Sequence, residues 1–202
     1  PVVVGIGASA GGIKALQDFF EALPEGTGAA YIVIVHLAPD VQSELAAVLA
    51  AHTAMPVVQV TGSEELKADR VYVIPPNRRL ELDDHEVASA AFGEPRGQRA
   101  PVDLFYRSLS EHGDGFAIIL SGAGSDGSVG VRKIKEAGGI ILVQDPNEAE
   151  YASMPRHAIA TGVADFVLSV REIALKLAEL IRAKREGGSE DRPVDEELLR
   201  RV

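Results

Sequence analysis

Residues 2–12 read Val2-Val3-Val4-Gly5-Ile6-Gly7-Ala8-Ser9-Ala10-Gly11-Gly12. Val2–Ile6 is an apolar, mostly β-branched run of the kind a buried strand needs. The glycines then permit a tight turn. Ile13, Leu16, Phe20 and Leu23 follow at helical spacing, and Pro24 stops that helix. Tyr31–Val35 is a second buried strand. Strand, helix and strand in succession make a βαβ unit, which requires a parallel sheet.

The same alternation continues along the chain. Val57–Val60, Val71–Ile74, Phe116–Leu120, Ile140–Val143 and Phe166–Leu168 read as strands. Ser43 is positioned to cap a helix carrying Leu45, Val48 and Leu49. Leu80–Leu82 and Glu86–Ala91, separated by Asp83-Asp84, suggest a small antiparallel hairpin. Residues 93–100, GEPRGQRA, read as a loop, and Pro101 suits the first turn of a helix through Leu104, Phe105 and Leu109. A glycine-rich turn and a helix ending at Gly138-Gly139 follow the strand Phe116–Leu120. The expected class is therefore α/β. No internal repeat is visible.

Residues 1–170 form the expected main domain, and 171–186 an amphipathic C-terminal helix packing on it or extending from it. GGSEDRP reads as a linker, so 187–202 is expected to be a linker and the start of a further helical segment. A chain opening on Pro1 is expected to have been processed or cut from a longer protein.

Composition narrows the function classes. With 46% hydrophobic residues the chain is globular rather than disordered. No apolar run approaches the roughly 20 residues that span a bilayer, so no membrane insertion is expected. The opening residues lack the charged n-region of a signal peptide. Cysteine is absent, which excludes disulfides, thiolate metal sites and cysteine nucleophiles and fits a cytoplasmic setting. The net charge is −10, and basic and acidic side chains balance after residue 170, so the excess belongs to residues 1–170. An acidic body repels nucleic acid, and no nucleic-acid partner is expected.

Three strand ends carry unusual residues, and open α/β sheets bind ligands beyond the carboxyl ends of their strands. Gly7-Ala8-Ser9-Ala10-Gly11 fits the nucleophile elbow G-x-S-x-G, which lifts a serine hydroxyl above the sheet. The helix that follows offers free N–H groups for an oxyanion, with Ala10 the candidate donor and the Gly122-Ala123-Gly124 turn a second one. The same stretch also fits the dinucleotide fingerprint, as Gly5-x-Gly7-x-x-Ala10. That fingerprint wants an acid about 20 residues on, where the second strand ends in His36 instead. A ligand-free glycine turn is the third reading.

His36 stands where an apolar strand meets Leu37-Ala38-Pro39-Asp40, a position suited to a general base. A lone histidine there is more often structural. His52, His85, His112 and His157 have weaker cases. Asp126, in Ser121-Gly122-Ala123-Gly124-Ser125-Asp126-Gly127-Ser128, either caps the next helix or orients His36. No Lys follows in P-loop position. The order Ser, His, Asp differs from the α/β-hydrolase order, but triads are defined by geometry.

Taken in order, GASAGG, VIVHLAPD, VYVIPPN, LSGAGSDGSVG, AGGIILVQDP and MPRHAIATG resemble the catalytic domain of the CheB-type chemotaxis receptor methylesterases, over residues 2–170. The resemblance implies a doubly wound, mostly parallel sheet with helices on both faces. It implies hydrolysis of glutamate γ-methyl esters on chemoreceptors with release of methanol, and in some members glutamine deamidation. The family's serine, histidine and aspartate match Ser9, His36 and Asp126. Arg99, in Arg99-Ala100-Pro101-Val102-Asp103, and Met154, in Met154-Pro155-Arg156, match segments bordering the cleft and are the substrate-binding candidates. No cofactor and no metal is expected. The implied partners are methylated chemoreceptor helices or a related signalling protein.

Two departures stand out. Family members often carry a methionine near the position of Ala123. The variant GAGSDGS and the helical tail resemble esterase domains fused to a following receptor methyltransferase, which implies a covalently linked methyltransferase domain. A nucleotide- or phosphate-binding module and a non-catalytic signalling domain remain as alternatives.

Overall fold

The computed structural model describes residues 1–190. Seven strands form one wholly parallel sheet: β1 (Val3–Ala8), β2 (Ala30–Val35), β3 (Val57–Gln59), β5 (Arg70–Val73), β8 (Phe116–Ile119), β9 (Ile140–Gln144) and β10 (Phe166–Leu168). Their order is β10-β9-β8-β1-β2-β5-β3. From β1 the chain runs outward through β2. It returns to the other side of β1 at β8 and then runs outward through β9 and β10. The sheet is therefore doubly wound, with its switch point between β1 and β8.

Helices cover both faces. α1 (Gly12–Ala22) packs with α7 (Val170–Glu190), and α4 (Pro101–Glu111) packs with α5 (Ser128–Glu136). Side chains alternate across a strand. Ile6 and Ala8 of β1 are fully buried, while Gly5 and Gly7 turn toward α4. A Cβ on Gly7 would lie 2.6 Å from Val102 Cγ1, and one on Gly5 3.2 Å from Phe105 Cε1. These two glycines let α4 sit close on the sheet, and Tyr106 of that helix donates to Gly5 O at 3.1 Å.

The hairpin expected near residue 84 is present as β6 (Arg79–Asp83) and β7 (Glu86–Ala90). A third strand that the sequence did not signal, β4 (Ser63–Glu65), joins it to make a small antiparallel sheet in the order β4-β7-β6. Ser43 does not cap the following helix. It ends a short helix α2 (Pro39–Ser43), its hydroxyl donating to Asp40 O at 2.8 Å, and α3 (Leu45–Ala50) starts without a side-chain cap. A short helix α6 (Ser153–Ala160) lies between β9 and β10.

The C-terminal helix buries Ile173, Ala174, Leu177 and Ile181 completely. It continues through Gly187 and Gly188 to Glu190, past the linker start expected at 187. The remainder of the segment expected over 187–202 lies, from 191 on, outside the described residues. Among the described residues no helix is long and apolar enough to cross a membrane.

Candidate active site

Register brings the three sequence-marked strand ends together. Ala8 pairs with Val35, so Ser9 and His36 are the next residues on neighbouring strands. Adjacent strands lie about 4.8 Å apart. The His36 N–H donates to Ala8 O at 3.3 Å. On the other side of β1, Gly7 pairs with Ile119, and the Ser9 N–H donates to Ser121 O at 3.0 Å. Ser9, Ala10, His36, Ala123, Asp126 and Met154 line one open cleft at the switch point.

Ser9 sits on the turn into α1, whose N-cap is Gly11 in the left-handed conformation, φ 72°. Its hydroxyl accepts the Ala123 N–H at 2.9 Å. The Gly122–Gly124 turn is held from below. The Gly122 N–H donates to Tyr151 O at 3.0 Å, and Gly122 O accepts the Met154 N–H at 2.9 Å. Gly124 O accepts the Ser153 hydroxyl at 3.0 Å. A Cβ on Gly122 would lie 2.6 Å from Ser9 Oγ and would collide with Met154. Glycine at 122 therefore lets the turn approach the serine. Met154 is buried and forms part of the cleft wall.

Asp126 does not cap the helix that follows it. Gly127 is the N-cap of α5. The Asp126 carboxylate instead accepts the N–H groups of Val102 (3.0 Å) and Asp103 (2.9 Å), at the start of α4. In return, Asp103 Oδ1 accepts Gly127 N–H (2.9 Å) and Gly130 N–H (2.7 Å), at the start of α5. Each carboxylate thus caps the other's helix. Burial pushes Asp126 up to about 7; the N–H bonds from Asp103 and Val102 oppose this, and the Asp103 charge adds to it. Burial raises Asp103 as well, against its bonds to the α5 amides. Each Asp126 oxygen keeps lone-pair capacity for a further donor facing the cleft.

The His36 ring is exposed and makes no side-chain hydrogen bond to Ser9 or Asp126. Catalytic hydrogen bonds are often long before substrate binds and tighten in the complex. The other histidines have structural partners. His52 contacts Glu21, His112 bridges Asp84 N and Ser108 O, and His157 donates from Nδ1 to Ser153 O. Only a backbone contact is seen for His85, whose carbonyl accepts Leu66 N–H.

Arg99 lines a second cavity that shares His36 and Leu37 with the cleft. Sequence reasoning missed Arg78 and Arg96, which line it too. It also missed Ser121, whose buried side chain donates to Ala10 O at 2.8 Å and accepts Tyr151 N–H at 3.0 Å. Its one signal was a serine directly after an apolar strand. Among the described residues no group of three or more His, Cys, Asp or Glu side chains is arranged to hold a metal.

Such an architecture defines an α/β enzyme whose cleft opens at the switch point. A model of the CheB methylesterase family matches residues 4–177. A putative protein-glutamate methylesterase/protein-glutamine glutaminase of Leptospira interrogans is 37% identical over 172 residues, covering 84% of this chain and 89% of that protein. An Anaeromyxobacter dehalogenans protein-glutamate methylesterase/protein-glutamine glutaminase is 36% identical, over 89% of this chain but 53% of its own length. A 104.1 kDa uncharacterized protein of Rhodobacter capsulatus is 41% identical over 152 residues, 15% of its length. The crystal structure of the Thermotoga maritima CheB methylesterase catalytic domain superposes with a TM-score of 0.81 at 30% identity, covering 89% of this chain and 98% of that one. The chain belongs to the CheB methylesterase family, a family of hydrolases. It spans most of the Leptospira relative and about half of the Anaeromyxobacter one.

Proposed function

We propose that the cleft hydrolyses glutamate γ-methyl esters on chemoreceptor-like proteins, with Ser9 as nucleophile, His36 as base and Asp126 as the orienting acid. The observation that carries this reading is the convergence of these three residues on one cleft at the switch point, with Ser9 Oγ on the Ala123 N–H. The names of the Leptospira and Anaeromyxobacter relatives support the substrate class.

In this mechanism His36 takes the Ser9 proton as Oγ attacks the ester carbonyl carbon. The carbonyl electron pair moves onto oxygen, where the N–H groups of Ala123 and Ala10 receive it. Oγ leaves the Ala123 amide as it attacks, which frees that donor for the oxyanion. Losing one such donor typically costs about 2.7–4 kcal/mol of barrier. Collapse breaks the bond to methoxide, which takes the proton from His36 and leaves as methanol. Water then attacks the acyl-enzyme with His36 again as base, giving a glutamate carboxylate and free Ser9. A glutamine side chain would form the same acyl-enzyme with ammonia leaving. The partners are methylated receptor helices or a related signalling protein, and a linked methyltransferase domain fits the much longer Rhodobacter relative.

The dinucleotide reading loses support. Gly5 and Gly7 are explained by the approach of α4, and the Glu150 carboxylate stands 3.0 Å from where a Gly11 Cβ would lie, where a phosphate would be expected. Ser9→Ala is expected to abolish methanol release from methylated receptor while the fold is kept. A serine-directed phosphonate should label the parent protein at Ser9 and leave the variant unlabelled. Undiminished methanol release by the variant refutes the assignment, and absence of labelling in the parent favours a non-catalytic domain.

A further inference from the structure

Beside the cleft lies a cavity of about 150 Å³ in which Arg78, Arg96 and Arg99 converge. A single water needs only about 10–15 Å³, so the space admits a whole acidic side-chain head. No Asp or Glu lines it. Among the described residues none of the three arginines pairs with a carboxylate. Arg78 donates to Ser89 O at 3.2 Å, and Arg99 donates to Glu94 O at 3.3 Å with its guanidinium 4.6 Å from the Phe92 ring centre. Arg96 is exposed. Three unneutralised guanidinium groups are unexpected in a chain with a net charge of −10.

The Arg78 and Arg99 parts of this lining are held by local contacts. Buried Gln42 accepts the Leu37 N–H at 3.2 Å and donates to Pro75 O at 3.1 Å, tying the His36 loop to the loop that carries Arg78. Asn77, next to Arg78, holds a left-handed backbone at φ 59°, a turn conformation that Asn tolerates better than most residues. Stacking on Phe92 orients the Arg99 fork.

We propose that this cavity is a carboxylate subsite, which takes an acidic side chain of the substrate polypeptide close to the reacting glutamyl ester. The proposal rests on the reading of Ser9 as nucleophile, because the shared wall of His36 and Leu37 sets the subsite beside the reacting group. Planar guanidinium forks match carboxylates in geometry and charge. On a helical substrate, residues three or four positions from the ester share its face and reach the neighbouring cavity. A neutral methyl ester gives arginine no charge to pair with, whereas its hydrolysis product does. Each hydrolysis therefore creates the anion that the subsite binds while a neighbouring ester reacts, so partly demethylated segments are better substrates than fully methylated ones.

The test uses synthetic helical peptides with one glutamate γ-methyl ester and either Glu or Gln three and four residues to each side. The parent enzyme is expected to favour the Glu peptide by about tenfold or more in kcat/KM, mostly through KM, with the ratio shrinking as salt rises. In Arg96→Gln and Arg78→Gln that ratio falls toward one, and Arg96→Glu shifts preference toward a Lys-flanked peptide. A parent ratio near one, or a ratio that survives both neutralised variants, overturns the proposal. If neither peptide is hydrolysed, fluorescence anisotropy of the same peptides with Ser9→Ala protein decides separately. Preference for the Glu peptide there upholds the subsite although the esterase reading fails, and equal binding overturns it. Inorganic phosphate that displaces the Glu peptide at submillimolar concentration would mark a free-phosphate site and also overturns it.

Discussion

Asp103 is the residue through which Asp126 can be tested without touching the cleft. It caps α5 through Gly127 and Gly130, and its charge stands against ionisation of Asp126. Two substitutions separate these roles. Asp103→Ala removes both hydrogen bonds and leaves two helix-terminal N–H groups without their acceptor. Bonds to a charged acceptor are worth about 1.5–3 kcal/mol each, but Ala at a helix cap costs about 0.5–2 kcal/mol overall. The lower figure applies better here, because the native carboxylate is already disfavoured by burial. The expected loss is about 2 kcal/mol, or about 4–8 °C in Tm for a domain of this size. Asp103→Asn keeps an acceptor for the α5 amides and removes only the charge, so its Tm should stay within about 2–3 °C of the parent. Without that charge Asp126 ionises at lower pH. If ionised Asp126 orients His36, the acid limb of the pH profile of kcat/KM moves to lower pH in Asp103→Asn. Calorimetry and pH–rate profiles on a γ-methyl ester peptide provide both readings. An acid limb that stays put or moves upward would refute the coupling, and a large Tm loss in Asp103→Asn would refute the capping argument.

Two further outcomes follow from the same cleft. Gly122→Ala places a methyl against Met154 and 2.6 Å from Ser9 Oγ. It should cost about 1–3 kcal/mol of stability by overpacking and lower kcat/KM at least about tenfold by displacing Ser9 from the Ala123 amide, as followed by thermal unfolding and ester hydrolysis; full activity would remove Gly122 from the site. Asp126 and Asp103 both have raised pKa values in the fold, so the stability they contribute is complete below the unfolded value near 3.9 and is lost as pH rises, for Asp126 through about 7. Denaturant midpoints measured from pH 4 to 8 should therefore decline across that window in the parent and decline less in Asp103→Asn.

The parallel sheet was legible because strands buried on both faces must be continuous apolar runs, and Val3–Ala8 and Ala30–Val35 are such runs. Ser9 and His36 were legible as well, since each is the first polar side chain beyond its run. Strand order was not legible. Nothing in Val57–Gln59 or Arg70–Val73 states that β5 slips between β2 and β3. β4 was invisible because Ser63–Glu65 is short and polar, and becomes a strand only by pairing with β7. For Asp126 the local spacing left two readings open, cap of α5 or partner of His36, because what removes the cap reading is not local: α4 docks closely enough on Gly5 and Gly7 to take its carboxylate. The arginine cavity draws on Asn77-Arg78 and on residues 92–99, two loops that no local pattern connects.

Local charge would let this acidic enzyme work on the proposed acidic substrate segment. At physiological ionic strength the Debye length is about 8 Å, so a substrate carboxylate beside His36 responds to its nearest neighbours more than to the net charge of −10. Those neighbours differ between the two cavities. On the proposed function, the newly formed glutamate beside Ser9 would meet Asp126 in the cleft, and once Asp126 is ionised the two would repel. In the proposed subsite, a carboxylate three or four residues along the same helix face would meet Arg78, Arg96 and Arg99. Product would thus be driven out of the reactive position while the segment stays held at the subsite. On that proposal, release of one carboxylate and retention of a second would both follow from the arginine-lined cavity of about 150 Å³ and the buried Asp126.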